Sequence, residues 1–128
     1  MEEHQQLLDT RVLIVEDEYL IMDELKRIVE AAGGIVVGAH GNLDDDVFER
    51  SAISSDIAII DINIRGKMSY PLADVLRERG VPFIFATGYD FDGIPEKFAL
   101  VSRIQKPFDA QELVNVLADT RAKASRAG

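Results

Sequence analysis

Three carboxylates stand side by side at Glu16, Asp17 and Glu18, directly behind the strand-like run RVLIV (Arg11–Val15). Adjacent like charges repel, so the crowding needs a cause. Two are open. Acids are favoured at a helix N-terminus, where the dipole presents partial positive charge. Alternatively, the acids hold a cation. Other groups capable of chemistry take matching places further on: Asp61 follows DIAII, Thr87 follows VPFIFA and Lys106 follows LVSRIQ.

The elements that must position these groups can be read from the apolar pattern. Five strand-like runs, at 11–15, 34–40, 56–60, 81–86 and 100–105, alternate with helical stretches. Three of the runs are dense in β-branched residues with little polar alternation, as expected of strands covered on both faces. Leu20, Ile21, Leu25, Ile28 and Val29 keep a helical spacing over 18–32 and stop at Gly33–Gly34. A second helix is expected after Asn42, through LDDDVFERS, and a third around Pro71–Arg79, with its proline early. The segment 92–99 is a weak helix because Gly93 and Pro95 interrupt it, and the last helix starts near Asp109. The final RAKASRAG loses the apolar period and is expected to trail off as a tail. This alternation implies an α/β fold: a flavodoxin-like, doubly wound (βα)5 sandwich with a five-stranded parallel sheet in the order 2-1-3-4-5. One domain is expected over 1–128, with its core at about 11–118 and a short N-terminal extension.

Ligands of such sheets bind outside the carboxyl ends of the strands, where strand order reverses. Four strands therefore deliver acid, hydroxyl and ammonium to one rim, with Asp17 and Asp61 on neighbouring strands. Carboxylates converging there are hard to keep ionised without a cation. Oxygen ligands without His or Cys suit a hard ion such as Mg²⁺. Beside them, Lys106 and the Thr87 hydroxyl suit a phosphoryl group.

Composition excludes other classes. The 128 residues carry 14 Lys+Arg against 23 Asp+Glu, a net charge of −9, which disfavours nucleic acid and anionic membrane. No cysteine is present, so disulfides and thiolate chemistry are ruled out. The polar start MEEHQQLLDT is unlike a signal peptide, and no apolar run approaches the ~20 residues of a membrane span. A cytoplasmic location is expected.

In order, VEDE, IIDIN, FATG and QKPF, each at a strand end, resemble the receiver domain of bacterial two-component response regulators over about 11–118. PFIFATGYD further resembles a subgroup bearing Phe-Ala-Thr-Gly-Tyr, often found as single-domain proteins. The resemblance implies that Asp61 accepts a phosphoryl group from a histidine kinase or histidine phosphotransferase. It implies that Asp17 ligates Mg²⁺ directly, Glu16 through water and Asn63 through its backbone carbonyl. Thr87 would hydrogen-bond the phosphoryl oxygen and Lys106 would pair with its charge, with the Lys106–Pro107 bond cis. The expected product is a stand-alone regulator, a monomer or weak dimer, signalling to a downstream protein or passing phosphate onward.

Two departures from the family pattern bear on mechanism. Arg65 stands where many receivers have proline, and Arg103 stands three residues before Lys106, where an aromatic switch is usual. Signalling is therefore expected to run through Thr87, Gly88 and Tyr89, with the partner at the face of the fourth helix, fifth strand and last helix. A competing reading is an Mg²⁺-dependent phosphatase with an aspartyl-phosphate intermediate. Such enzymes want an aspartate two residues after the nucleophile, and Asn63 is there. A flavodoxin-like cofactor binder lacks the Gly/Ser/Thr-rich loop after strand one. Asp44–Asp46 are simplest as helix-start acids, and His4 and His40 as structural or surface residues.

Overall fold

The computed structural model describes residues 6–43, 52, 54–88 and 93–127, with side chains placed up to residue 124. The chain runs β1 (Arg11–Val15), α1 (Tyr19–Ala31), β2 (Ile35–His40), β3 (Ile57–Asp61), β4 (Asn63–Ile64), β5 (Lys67–Met68), α2 (Tyr70–Glu78), β6 (Phe83–Thr87), a 3₁₀ turn (Glu96–Phe98), β7 (Arg103–Gln105) and α3 (Ala110–Ala127). Five strands form one parallel sheet in the order β2-β1-β3-β6-β7. With the small β4–β5 pair set aside, this is the expected 2-1-3-4-5 order. The helix expected after Asn42 lies largely outside the described residues, of which 52 and 54 are helical.

The apolar runs conceal a period of two. Val12 and Ile14 of β1, Ile57 and Ile59 of β3, and Ile84 of β6 point to one face, where Leu25 and Val29 of α1 and Leu113, Val114 and Leu117 of α3 cover them. Leu13, Val15, Ala58, Ile60, Phe83 and Phe85 point to the other, under Ala73 and Leu76 of α2 and Phe98 of the 3₁₀ turn. The central strand β3 is buried at every residue, so Asp61 arrives at the rim on the most enclosed strand.

Two expectations need correction, and one element is new. The C-terminal residues do not trail off: α3 continues to Ala127. Ala, Arg and Lys are strong helix formers without any apolar period, and the Asp119–Lys123 pair at 3.1 Å supports the exposed turn. The N-terminal extension is not merely polar. Leu7 is 1% exposed and joins the core, and its N–H donates to Ala32 O at 2.9 Å. Between Asp61 and α2 an unforeseen hairpin appears. β4 and β5 pair antiparallel across Arg65–Gly66, whose φ values of 52° and 83° are those of a type I′ turn.

Candidate functional site

The carboxyl ends of β1, β3, β6 and β7 bring Glu16, Asp61, Thr87 and Lys106 to one rim. Glu16 is 1% exposed, Asp61 8% and Thr87 6%. Register places them: Ile60 of β3 lies beside Val15, Asp61 beside Ala86, and Gln105 beside Thr87. The Lys106 N–H then donates to Thr87 O at 2.8 Å, fixing the lysine one residue past the strand end. The Lys106–Pro107 bond is cis.

The Lys106 ammonium sits among three carboxylates. Its Nζ lies 3.0 Å from Asp61 Oδ2, 3.1 Å from Glu16 Oε1 and 3.6 Å from Glu18 Oε1. Burial alone would lower the lysine pKa, but Asp61 and Glu16 outweigh it and hold the pKa above its ordinary value. Burial, reinforced by the Asp61 charge, pushes the Glu16 carboxyl up to about 7, against the Glu18 N–H and Lys106. One ammonium cannot neutralise three carboxylates, and the surplus negative charge adds to the effect of burial on Glu16.

The helix-cap explanation of the acids does not account for them. Glu18 is the N-cap residue of α1 and makes no side-chain capping hydrogen bond. Glu16 Oε2 instead accepts from the Glu18 N–H at 3.1 Å, within its own loop. Oxygens of Glu16, Glu18 and Asp61 all lie within 4.8 Å of one another, a donor set whose hardness and surplus charge fit a divalent cation. Asp17 is arranged differently. Its Oδ2 accepts the Arg65 N–H at 2.9 Å, and it stands outside that three-acid group. Asn63 donates its N–H to Asp61 Oδ1 at 3.3 Å, and its side-chain Oδ1 accepts from Gly66 N at 2.9 Å.

Of the expected switch residues, Gly88 is exposed at the rim and Arg103 lies on β7, opposite Phe85. Tyr89 lies outside the described residues. Two participants were missed by sequence reasoning. Glu18 could have been found, since it is the third acid of the opening run. Arg65 could have been found only by reading Arg65–Gly66 as the turn of a hairpin.

No protein-family model matches the chain. It is similar to SdrG from Sphingomonas melonis Fr1, whose solution structure is 34% identical, with a TM-score of 0.69 and coverage of 99% of this chain and 98% of that one. A BeF3-activated conformation of SdrG is 35% identical, with a TM-score of 0.68 and coverage of 94% and 96%. The sensory transduction protein LytT of Bacillus cereus is 30% identical over 111 residues, 84% of this chain and 45% of LytT. The chain spans a little under half the length of the curated relatives it matches. A CheY-like response regulator receiver domain protein from Methanospirillum hungatei JF-1 shares the fold, with a TM-score of 0.74 at 22% identity over 94% of this chain and 99% of that one.

Proposed function

This chain belongs to the response-regulator receiver domain family, and from that premise we propose that it is a phosphorylation switch whose acceptor is Asp61. The observation that supports this most is the Asp61 carboxylate at the end of the central strand, with Lys106 Nζ at 3.0 Å. A buried nucleophile with an ammonium in contact is suited to phosphoryl transfer, which is mostly positioning and charge neutralisation. The donor is a histidine kinase or histidine phosphotransferase.

Asp17, Glu16, Asp61 and the backbone carbonyl of Asn63 are the residues that would hold Mg²⁺. The ion would supply the positive charge that Lys106 alone does not. Asp61 attacks phosphorus and the phosphohistidine nitrogen leaves. Lys106 then exchanges its contact with the bare carboxylate for one with the phosphoryl oxygens. The Thr87 hydroxyl, carried on the buried end of β6, bonds a phosphoryl oxygen and transmits its arrival.

The run Phe85–Tyr89 supports a place in the Phe-Ala-Thr-Gly-Tyr subgroup, and Arg103 supplies no aromatic ring for the usual switch. The signal leaves through Thr87, Gly88 and Tyr89 to a partner on the face formed by the 3₁₀ turn, β7 and α3. The net charge of −9 fits a protein partner rather than nucleic acid, and the monomer or a weak dimer is the working form. No helix among the described residues is long and apolar enough to cross a membrane. A cytoplasmic location is proposed.

Mass spectrometry after incubation with acetyl phosphate and Mg²⁺ tests the acceptor. The expected result is one phosphoryl adduct on Asp61 that Asp61→Asn and Asp17→Asn abolish. An adduct elsewhere overturns the assignment, and sustained phosphate release at many turnovers points to the phosphatase instead.

A further inference from the structure

Asp17 owes its orientation to a residue that no site motif contains. Its Oδ2 accepts the backbone N–H of Arg65 at 2.9 Å, across from the tip of the β4–β5 hairpin. That hairpin is two residues long on each side, and an isolated pair of this size is marginal in water. Arg65 also sits at φ 52°, a left-handed conformation that a long side chain adopts only at an energetic cost. Something must hold it there. The Arg65 guanidinium does so: its Nε donates to Gly41 O at 2.9 Å, tying the hairpin tip to the loop after β2. From below, Asn63 Oδ1 accepts the Gly66 N–H at 2.9 Å and closes the turn.

The loops after β1, β2 and β3 thus meet at one residue, through its backbone towards Asp17 and its side chain towards Gly41. We propose that Arg65 is a positioning residue for the cation site, holding the Asp17 carboxylate at a fixed angle so that its second oxygen faces the rim. The inference rests on the reading of Asp17 as a metal ligand. A ligating carboxylate is itself held by a hydrogen bond, and loss of such a partner typically costs 10–100-fold in metal affinity. Here the immediate partner is a backbone N–H, which mutation leaves in place. The guanidinium contact that immobilises it can be removed.

Arg65→Gly and Arg65→Asn both tolerate the left-handed conformation and both lose the reach to Gly41. Mg²⁺ alone, titrated as the chloride at constant ionic strength, is followed by the amide shifts of Asn63 and Gly66, so no phosphorylation is required. Both variants are expected to raise the Mg²⁺ dissociation constant about tenfold. Their metal-free urea midpoints should be unchanged or higher, since strain is relieved. Wild-type affinity in Arg65→Asn overturns the proposal, as does a metal-free midpoint that falls in step with affinity. Asp17→Asn separates the two layers. If it keeps wild-type affinity, the ligand reading fails and the proposal with it; if it loses Mg²⁺ while both Arg65 variants bind normally, the positioning role alone fails.

Discussion

Glu16 shows how one buried side chain can set the behaviour of the whole rim. It is 1% exposed, and burial with the nearby Asp61 charge takes its pKa from 4.5 up to about 7. A carboxyl with a raised folded pKa holds its proton longer in the native state, so stability falls as pH rises between those two values. Other shifted groups act outside that window. Asp56 is depressed below 3.8 because Arg11 and Arg121 outweigh its burial, so its contribution is lost only as pH falls through its folded value. Lys106 is raised above 10.5, and its contribution is lost only as pH rises through that folded value. Glu16→Gln, which cannot ionise, should therefore flatten the metal-free decline, gaining at most about 3 kcal/mol at the alkaline end. Urea midpoints across the window check this, and parallel profiles for the two proteins would count against it. The acids were legible in the sequence because type and strand-end position sufficed. That Glu18 joins Glu16 and Asp61 while Asp17 turns to Arg65 was not, since side-chain direction depends on a hairpin in another loop.

Elements were legible where apolar spacing was strong and obscure where other forces decided. β1 follows RVLIV residue for residue because Val12, Leu13, Ile14 and Val15 are all buried apolar side chains behind an exposed Arg11. The turn at Arg65–Gly66 carried a weak signal, since only Gly66 is a habitual left-handed residue. α3 outran its apolar stripe because helix propensity and the Asp119–Lys123 pair continue after burial ends. The α1–β2 junction makes a sharper demand. A Cβ on Gly34 would come within 2.7 Å of Val29 Cγ1 and 3.1 Å of Val29 O, where the chain leaves the helix and enters the sheet. Gly34→Ala must displace either a core side chain or the helix end, so a loss of about 1–3 kcal/mol is expected by urea denaturation. A neutral result would mean that the junction is looser than its packing. Tyr70, at the first turn of α2, gives the opposite sign. Its ring stacks on Phe98 at 5.7 Å and meets Phe85 edge-on at 6.0 Å, while its hydroxyl is buried without a hydrogen-bond partner among the described residues. Removing an unsatisfied buried hydroxyl should stabilise, so Tyr70→Phe is expected to gain up to about 1 kcal/mol, and a clear loss would reveal a partner for that oxygen.

At the scale of the whole molecule, the sheet separates two cores of different character, and the difference gives the signal a direction. The α1–α3 side is aliphatic and braced by two long helices. On the α2 side, Tyr70, Phe83, Phe85 and Phe98 form a ring cluster, to which Phe98 comes from a single 3₁₀ turn. Phe85 lies two residues before Thr87 and so on the same face of β6, which directs a pull on the Thr87 hydroxyl towards this cluster. Arg103 is exposed on β7, where it cannot swing an aromatic ring into the interior as the usual receiver switch does. A 3₁₀ turn has few hydrogen bonds to lose, so two arrangements of the turn Glu96–Phe98 can differ by little energy, and a new charge at Asp61 can bias them. Phosphorylation, or a beryllofluoride mimic, should change hydrogen-exchange protection across 87–98 and leave α1 protected as before. Tyr89→Ala should then keep Asp61 phosphorylation near the wild-type rate while weakening partner binding, with Arg103→Ala the milder of the two. Protection changes confined to α1 and the start of α3, with 87–98 unmoved, would place the output on the opposite side of the sheet.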